Sequence, residues 1–290
     1  DRQAWTEPAG PPLRAAMIQG AVGQDEKWLE TQLEPTRELY LGLTEPYWGI
    51  ELLIWPEAAL PTLLHEELDF LAELDERARA AGSQLLMGIL QWDRRSGHYY
   101  NTLVSLGGEP EIYRKRQLVP FGEYFPVPDF VRQVMRMMSL PYSDIAPGPP
   151  DPGPMTLAGV PVAPTICYED AFGAQQRVFF PAAELLVNVS NDAWFGDTVA
   201  PHQHLQIARL RAMETGRWML RATNNGITAV IDPRGRVVQR SQQFVPEVVV
   251  GEVVPMRGMT PWLRLGDLPL AAAAALLCLL AALRRYRAGR

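Results

Sequence analysis

The stretch "VPVAPTICYED", residues 160–170, decides how this chain is read. Its first part is a short apolar run of strand length, and it ends abruptly in Cys167, with Glu169 and Asp170 just behind. A buried strand that stops on a nucleophile and two acids delivers chemistry where loops gather. Glu57 follows "LLIW" and Pro56, and Lys115 sits in "IYRKRQLVPFG", so both also lie just past apolar runs. Working outward, "LRAAMIQG" (13–20), "IELLIWPE" (50–57), "QLLMGILQW" (84–92), "YYNTLVSLGG" (99–108) and "ELLVNVS" (184–190) read as strands. "DRRSGH" is the turn between the third and fourth of these. The 218–240 stretch reads as a strand followed by a hairpin closed near Pro233–Gly235. Residues 65–82 have the apolar spacing of an amphipathic helix that stops at Gly82. Further helices are expected over about 200–216 and 129–140, and a partly helical 24–45 is broken or kinked by Pro35. Strands alternating with helices predict an α/β or layered α-β-β-α domain over about 13–255.

A chain of 290 residues can bury a large core in one sizeable domain or two small ones. Net charge is −6 without a long basic run in the body, which argues against a nucleic-acid partner. Two cysteines make no disulfide framework, and 26 prolines suggest many fixed loops rather than a helical bundle. The chain opens on Asp1 with no signal-peptide pattern, so it is expected to be a piece of something longer.

From Leu268 to Leu283 every residue is apolar, and Arg284, Arg285, Arg287 and Arg290 follow. At 1.5 Å per residue the run spans roughly 24 Å, a little short of a bilayer core of about 30 Å. Snorkelling arginines and Tyr286 could close that gap, although an Ala-rich buried helix is the alternative. If the run spans, its arginines belong in the cytoplasm and the domain before it lies outside.

A Cys–Glu–Lys set makes chemical sense. A carboxylate can take the thiol proton, while an ammonium offsets local negative charge and holds an oxyanion. Each residue also has a plainer reading: a small buried hydrophobe, a turn carboxylate, and one cation on a wet basic face. The acids beside Cys167 should raise its pKa unless Lys115 sits nearby. His202 and His204 have no second cluster to complete a metal site, so no metal is expected. They are expected to start a helix and pack against "NDAWFG". Phe130, Val131, Val134, Met135 and Met138 share one side of the 129–140 helix, either as core or as a mobile apolar lid that admits acyl chains.

"IWPEAALP", "YRKRQLVPFGEYFP", "CYED", "VNVSNDAWFG" and "RATNNGITAVIDPRG" occur in that order. Together they resemble the nitrilase superfamily, specifically its apolipoprotein N-acyltransferase branch. The resemblance implies a nitrilase-like α-β-β-α sandwich with a C-terminal transmembrane helix. It implies a Glu–Lys–Cys triad at Glu57, Lys115 and Cys167, with Glu123 of "FGEY" as a second glutamate holding Lys115 and an attacking amine. Glu169 takes a structural role behind the nucleophile, an oxyanion donor lies near Tyr168, and Tyr168 and Trp194 are candidates to line an acyl pocket. The implied reaction carries a phospholipid acyl chain through a Cys thioester to the α-amine of a lipoprotein's diacylglyceryl-cysteine, with no cofactor. Its partners are then a phospholipid donor, a diacylated apolipoprotein and the bilayer. The implied location is the bacterial inner membrane, with the catalytic domain on its periplasmic face. The expected organisation is a leading segment (1–12), a catalytic domain (13–255), a joining segment (256–267), a membrane helix (268–283) and a basic cytoplasmic tail (284–290). That branch also carries N-terminal membrane helices that this chain does not contain. A membrane-anchored nitrilase-type amidase, and a non-catalytic domain that binds lipid or lipoprotein, are the competing readings.

Overall fold

The apolar runs become two six-stranded sheets. The first has the order β13 (Glu247–Val253), β2 (Leu13–Gln19), β3 (Leu52–Ile54), β4 (Gln84–Asp93), β5 (His98–Leu106), β6 (Ile112–Arg114). The second has the order β12 (Val237–Arg240), β11 (Ala229–Ile231), β10 (Met219–Thr223), β9 (Leu185–Ser190), β8 (Val160–Ile166), β7 (Met155–Leu157). A computed structural model supplies this description and covers residues 4–127 and 145–288. The helix expected over 129–140 lies outside the described residues. A two-stranded ribbon, β1 (Thr6–Pro8) with β14 (Met256–Gly258), ties the two ends of the domain together.

The centre of each sheet is parallel: β2, β3 and β4 in the first, and β8, β9 and β10 in the second. Central strands are covered on both faces, which is why they read as largely apolar runs rather than alternating ones. In β2 and β3, Ala15, Met17, Leu52 and Ile54 join Val162, Ile166, Leu185 and Leu220 of the facing sheet in one core. Their neighbours Ala16, Ile18 and Leu53 point the other way and pack with Tyr40, Leu71 and Leu74. Those three sit on the helices Leu33–Thr44 and Leu68–Ala81. On the far side, the helix Ala200–Thr215 packs Leu205, Ala208 and Ala212 into the same core as the second sheet. The chain therefore forms the expected α-β-β-α sandwich.

Pro35 neither breaks nor kinks its helix. It falls in the first turn of Leu33–Thr44, where a missing N–H leaves no intrahelical bond unmade. Gly82 caps the Leu68–Ala81 helix in the left-handed conformation (φ 70°), as its position suggested. The helix Leu268–Ala288 carries an 18-residue stretch of mean hydropathy 1.7 that is entirely unburied. It is long and apolar enough to cross a membrane.

Candidate active site

Parallel strands all point their carboxyl ends the same way, and these ends build the site. Strand β3 runs into Trp55, whose Nε1 donates to Thr44 Oγ1 (2.9 Å) and whose ring leans on Tyr40 (5.0 Å between centroids). This anchor fixes Glu57 two residues on. The Glu57 loop also passes so close to β4 that a Cβ at Gly88 would lie 2.5 Å from Pro56 O and 2.7 Å from Glu57 Cα. Only glycine fits there.

Glu57 Oε2 accepts from the Asn191 backbone N–H (2.8 Å), and Oε1 accepts from Asn101 Nδ2 (2.8 Å). Lys115, just past β6 and almost fully buried, lays its Nζ 3.3 Å from Glu57 Oε1 and 2.8 Å from Glu123 Oε1. Glu123 is held in turn by Asn101 Nδ2 (3.1 Å) and the Val119 N–H (2.8 Å). Burial alone would pull the Lys115 ammonium down. The Glu57 carboxylate, the Cys167 sulfur and Glu123 outweigh it and raise its pKa above the ordinary lysine range. Behind the loop a second buried lysine, Lys27, donates to Glu57 O (3.3 Å), and burial lowers its pKa to about 8.

Cys167 follows directly on β8 in the left-handed region (φ 51°), a conformation that strains any residue with a Cβ. Three groups hold this elbow, one of them Asn188, whose Nδ2 donates to the Cys167 carbonyl (3.4 Å). Glu169 accepts from the Ile166 N–H (2.7 Å), the Arg116 N–H (2.7 Å) and Tyr113 Oη (2.8 Å), so it clamps the Lys115 loop to the Cys167 elbow. The Cys167 carbonyl meets His204 Nε2 at 3.1 Å. Cys167, Glu57, Lys115 and Glu123 line one cavity of about 330 Å³, together with Asn101, Asn191 and an apolar wall of Leu90, Val119 and Ile145. Trp28, Trp194 and Phe195 also line it and remain 47%, 69% and 44% exposed.

The Glu169 carboxylate is taken up by its clamp, and Asp170 pairs with His204 (3.0 Å) and Arg221 (3.5 Å). Burial first, then Glu57 and Asp192, push the Cys167 thiol well above its ordinary range, while Lys115 and the Ser190 hydroxyl pull against them. Lys115 thus offsets burial and Glu57 only in part at the sulfur.

Of the other expected positions, Trp194 lines the cavity, whereas Tyr168 packs edge-on against Phe172 (5.0 Å) and is 38% exposed. Phe130, Met135 and Met138 lie outside the described residues. His204 sits in the helix Ala200–Thr215 and does reach the "NDAWFG" loop, through Asp192 (2.9 Å), while His202 is exposed on the same helix. Cys167, Asp192 and His204 bring potential ligand atoms within 4.8 Å of one another, but the ring nitrogens of His204 and the Asp192 carboxylate are already engaged with protein partners. Sequence reasoning passed over Asn101, Asn191, Asp192 and Arg221. Asn101 in "YYNTLV" and Arg221 in "WMLRATNN" were legible as polar groups inside apolar strands, which seek buried partners.

The carbon–nitrogen hydrolase family model matches residues 14–258. The chain is 44% identical over 266 residues to the apolipoprotein N-acyltransferase of Methylococcus capsulatus, covering 91% of this chain and 53% of that protein. It is 40% identical over 285 residues to the apolipoprotein N-acyltransferase of Pseudomonas aeruginosa, covering 97% and 56%. The chain thus spans about half the length of the curated relatives it matches. Among solved structures, Saccharomyces cerevisiae Nit3, a member of the nitrilase superfamily, superposes with a TM-score of 0.63 at 16% identity, covering 84% of this chain and 90% of that one. An amidase from Nesterenkonia sp. gives 0.59 at 18% identity, covering 83% and 90%.

Proposed function

The chain belongs to the carbon–nitrogen hydrolase family, and from that premise we propose that it is the catalytic portion of an apolipoprotein N-acyltransferase. Glu57 takes the proton from Cys167 Sγ as the sulfur attacks the ester carbonyl of a phospholipid acyl chain. Lys115 balances the oxyanion of the tetrahedral intermediate. The C–O bond breaks, the lysophospholipid oxygen takes the proton back from Glu57, and a thioester remains on Cys167. The α-amine of a diacylglyceryl-cysteine then attacks that thioester and gives a proton to Glu57. Collapse forms the amide, expels the sulfur and returns the proton to it. Glu123 keeps Lys115 in place between the two steps and orients the amine.

One observation carries this reading over simple hydrolysis. Among the described residues that line the cavity holding Glu57, Lys115 and Cys167, the large exposed side chains are the aromatics Trp28, Trp194 and Phe195. An aromatic mouth suits an acyl chain arriving from a bilayer and a second lipid that displaces it. The unburied helix Leu268–Ala288 would hold the catalytic unit (13–255) against that bilayer, joined through 256–267. With the arginines at 284–290 on the cytoplasmic side of a bacterial inner membrane, the site faces the periplasm. The phospholipid donor and the diacylated lipoprotein acceptor then share one leaflet with the cavity mouth.

Intact-mass measurement of the full chain in phospholipid vesicles tests this directly. The reading expects an acyl adduct that is absent in Cys167→Ser and passes to an added diacylated lipopeptide. Release of the acyl group as free fatty acid with lipopeptide present would make the chain a hydrolase, and no adduct at all would make it a binding domain.

A further inference from the structure

Behind the nucleophile lies a second group of buried charges that the reaction above does not use. Asp170, Asp192 and Arg221 are essentially inaccessible to solvent, and His204 is buried among them. Its Nδ1 lies 2.9 Å from Asp192 Oδ1, while its Nε2 lies 3.0 Å from Asp170 Oδ1 and 3.1 Å from the Cys167 carbonyl oxygen. Carboxylate and carbonyl oxygens only accept. A neutral imidazole would turn one lone pair onto an oxygen lone pair, so both ring nitrogens must donate. Neutralising an aspartate instead is opposed by Arg221, whose Nη2 is 3.0 Å from Asp192 Oδ2 and whose Nη1 is 3.5 Å from Asp170 Oδ2. Two cations and two carboxylates then balance within one sealed cluster.

We propose that His204 is a positioning residue for the nucleophile: held as an imidazolium between Asp170 and Asp192, it pins the Cys167 carbonyl and keeps a positive charge beside the sulfur. The left-handed elbow at Cys167 needs such a pin, because its backbone favours relaxation. The charge is close enough to matter, since Cys167 Sγ, a His204 nitrogen and an Asp192 oxygen lie within 4.8 Å of one another. It offsets the Asp192 carboxylate, which lies as near the sulfur and raises its pKa. Consistently, Asp170 and Asp192 outweigh burial and the nearby Arg221 cation, and they raise the His204 pKa to about 9.

This inference rests on Cys167 as the nucleophile but not on the identity of its substrate. Nitrogen-15 spectra of histidine-labelled full chain in detergent, assigned by replacing His65, His98 and His202 with Gln, read the ring directly. His204 should keep both nitrogens protonated at pH 8, where an ordinary histidine is neutral; one unprotonated nitrogen overturns the proposal. Iodoacetamide labelling, mapped to Cys167 with Cys278 as internal reference, then reads the sulfur. In His204→Gln, Cys167 labelling at pH 8 should slow by about tenfold or more, with kcat lowered and KM little changed. A labelling profile that superposes on the unmodified chain overturns it as well. If no acyl adduct forms from phospholipid yet Cys167 labelling still depends on His204, the substrate assignment falls and the positioning role stands.

Discussion

Cys167 stands between two buried charge clusters that are built on opposite plans. On the cavity side, the Glu57 and Glu123 carboxylates share one directly paired ammonium, Lys115, while Lys27 reaches the Glu57 backbone carbonyl, and the group opens onto the 330 Å³ cavity. On the far side, Asp170 and Asp192 meet His204 and Arg221 two against two, with no opening. An unbalanced open cluster can move a proton and receive a new charge. A balanced sealed one can only hold its shape, because any change of protonation leaves a bare charge in a medium of low polarity. On the proposed mechanism, the contrast explains how a thiol flanked by acids can act as a nucleophile: its reactivity would be created on one side, and its position fixed from the other.

The contrast can be broken at several points. The largest effect is expected on the open side: Glu57→Gln should slow formation of the acyl adduct by about 10²–10⁴-fold, because it removes the proton acceptor. Its melting temperature should change far less. Arg221→Met should do the reverse. It leaves two buried carboxylates to one cation, His204, and is expected to cost about 3–5 kcal/mol in a urea titration. Equal losses of stability from both variants would erase the distinction between the clusters.

A pH series sharpens it. His204 has its pKa raised from 6.5 to about 9, so its pairing stabilises the fold fully below about pH 6.5 and is lost as pH rises through 9. That loss is on the order of 3 kcal/mol for the shift given, and it should be missing from the stability curve of His204→Gln. Asp192 acts at the other end. Burial opposes its ionisation, but Arg221 and His204 outweigh burial and hold its carboxyl well below the usual range. Its contribution is therefore present above about pH 4 and fades as pH falls.

Gly88→Ala probes a smaller term. Its methyl would press on Pro56 O and Glu57 Cα, displacing the Glu57 carboxylate without touching the sealed cluster. A stability cost of about 1–3 kcal/mol is expected, with slower adduct formation and an unchanged His204 spectrum. The smallest effect belongs to Leu277→Gln on the exposed face of Leu268–Ala288. Partition into vesicles should weaken, while adduct formation in detergent micelles stays as it was.

Much of this arrangement is legible in the chain. Largely apolar, non-alternating runs such as "LRAAMIQ" and "LLVNVS" announce strands covered on both faces, and the strand-end positions of Glu57, Lys115 and Cys167 follow from where such runs stop. The motif resemblance assigns Glu57, Lys115 and Cys167 a common site. Other features were not legible. Nothing local indicates that Glu169 binds the Lys115 loop, or that Lys115 is shared between two carboxylates. Pro35 misleads for a related reason, since its effect depends on where the helix begins, and packing of that helix sets its start.

Residue order and type were enough to specify the layers, the core, and the identity of the sulfur, carboxylate and ammonium. Local periodicity reports which groups leave water, and that is a property of neighbouring residues. Folding in three dimensions had to choose the pairings, such as Asn191 N with Glu57 across 134 positions or His204 with Asp170 across 34. A buried polar group must find some partner, but sheet register and the facing of two sheets choose which one, and neither is written in any single segment.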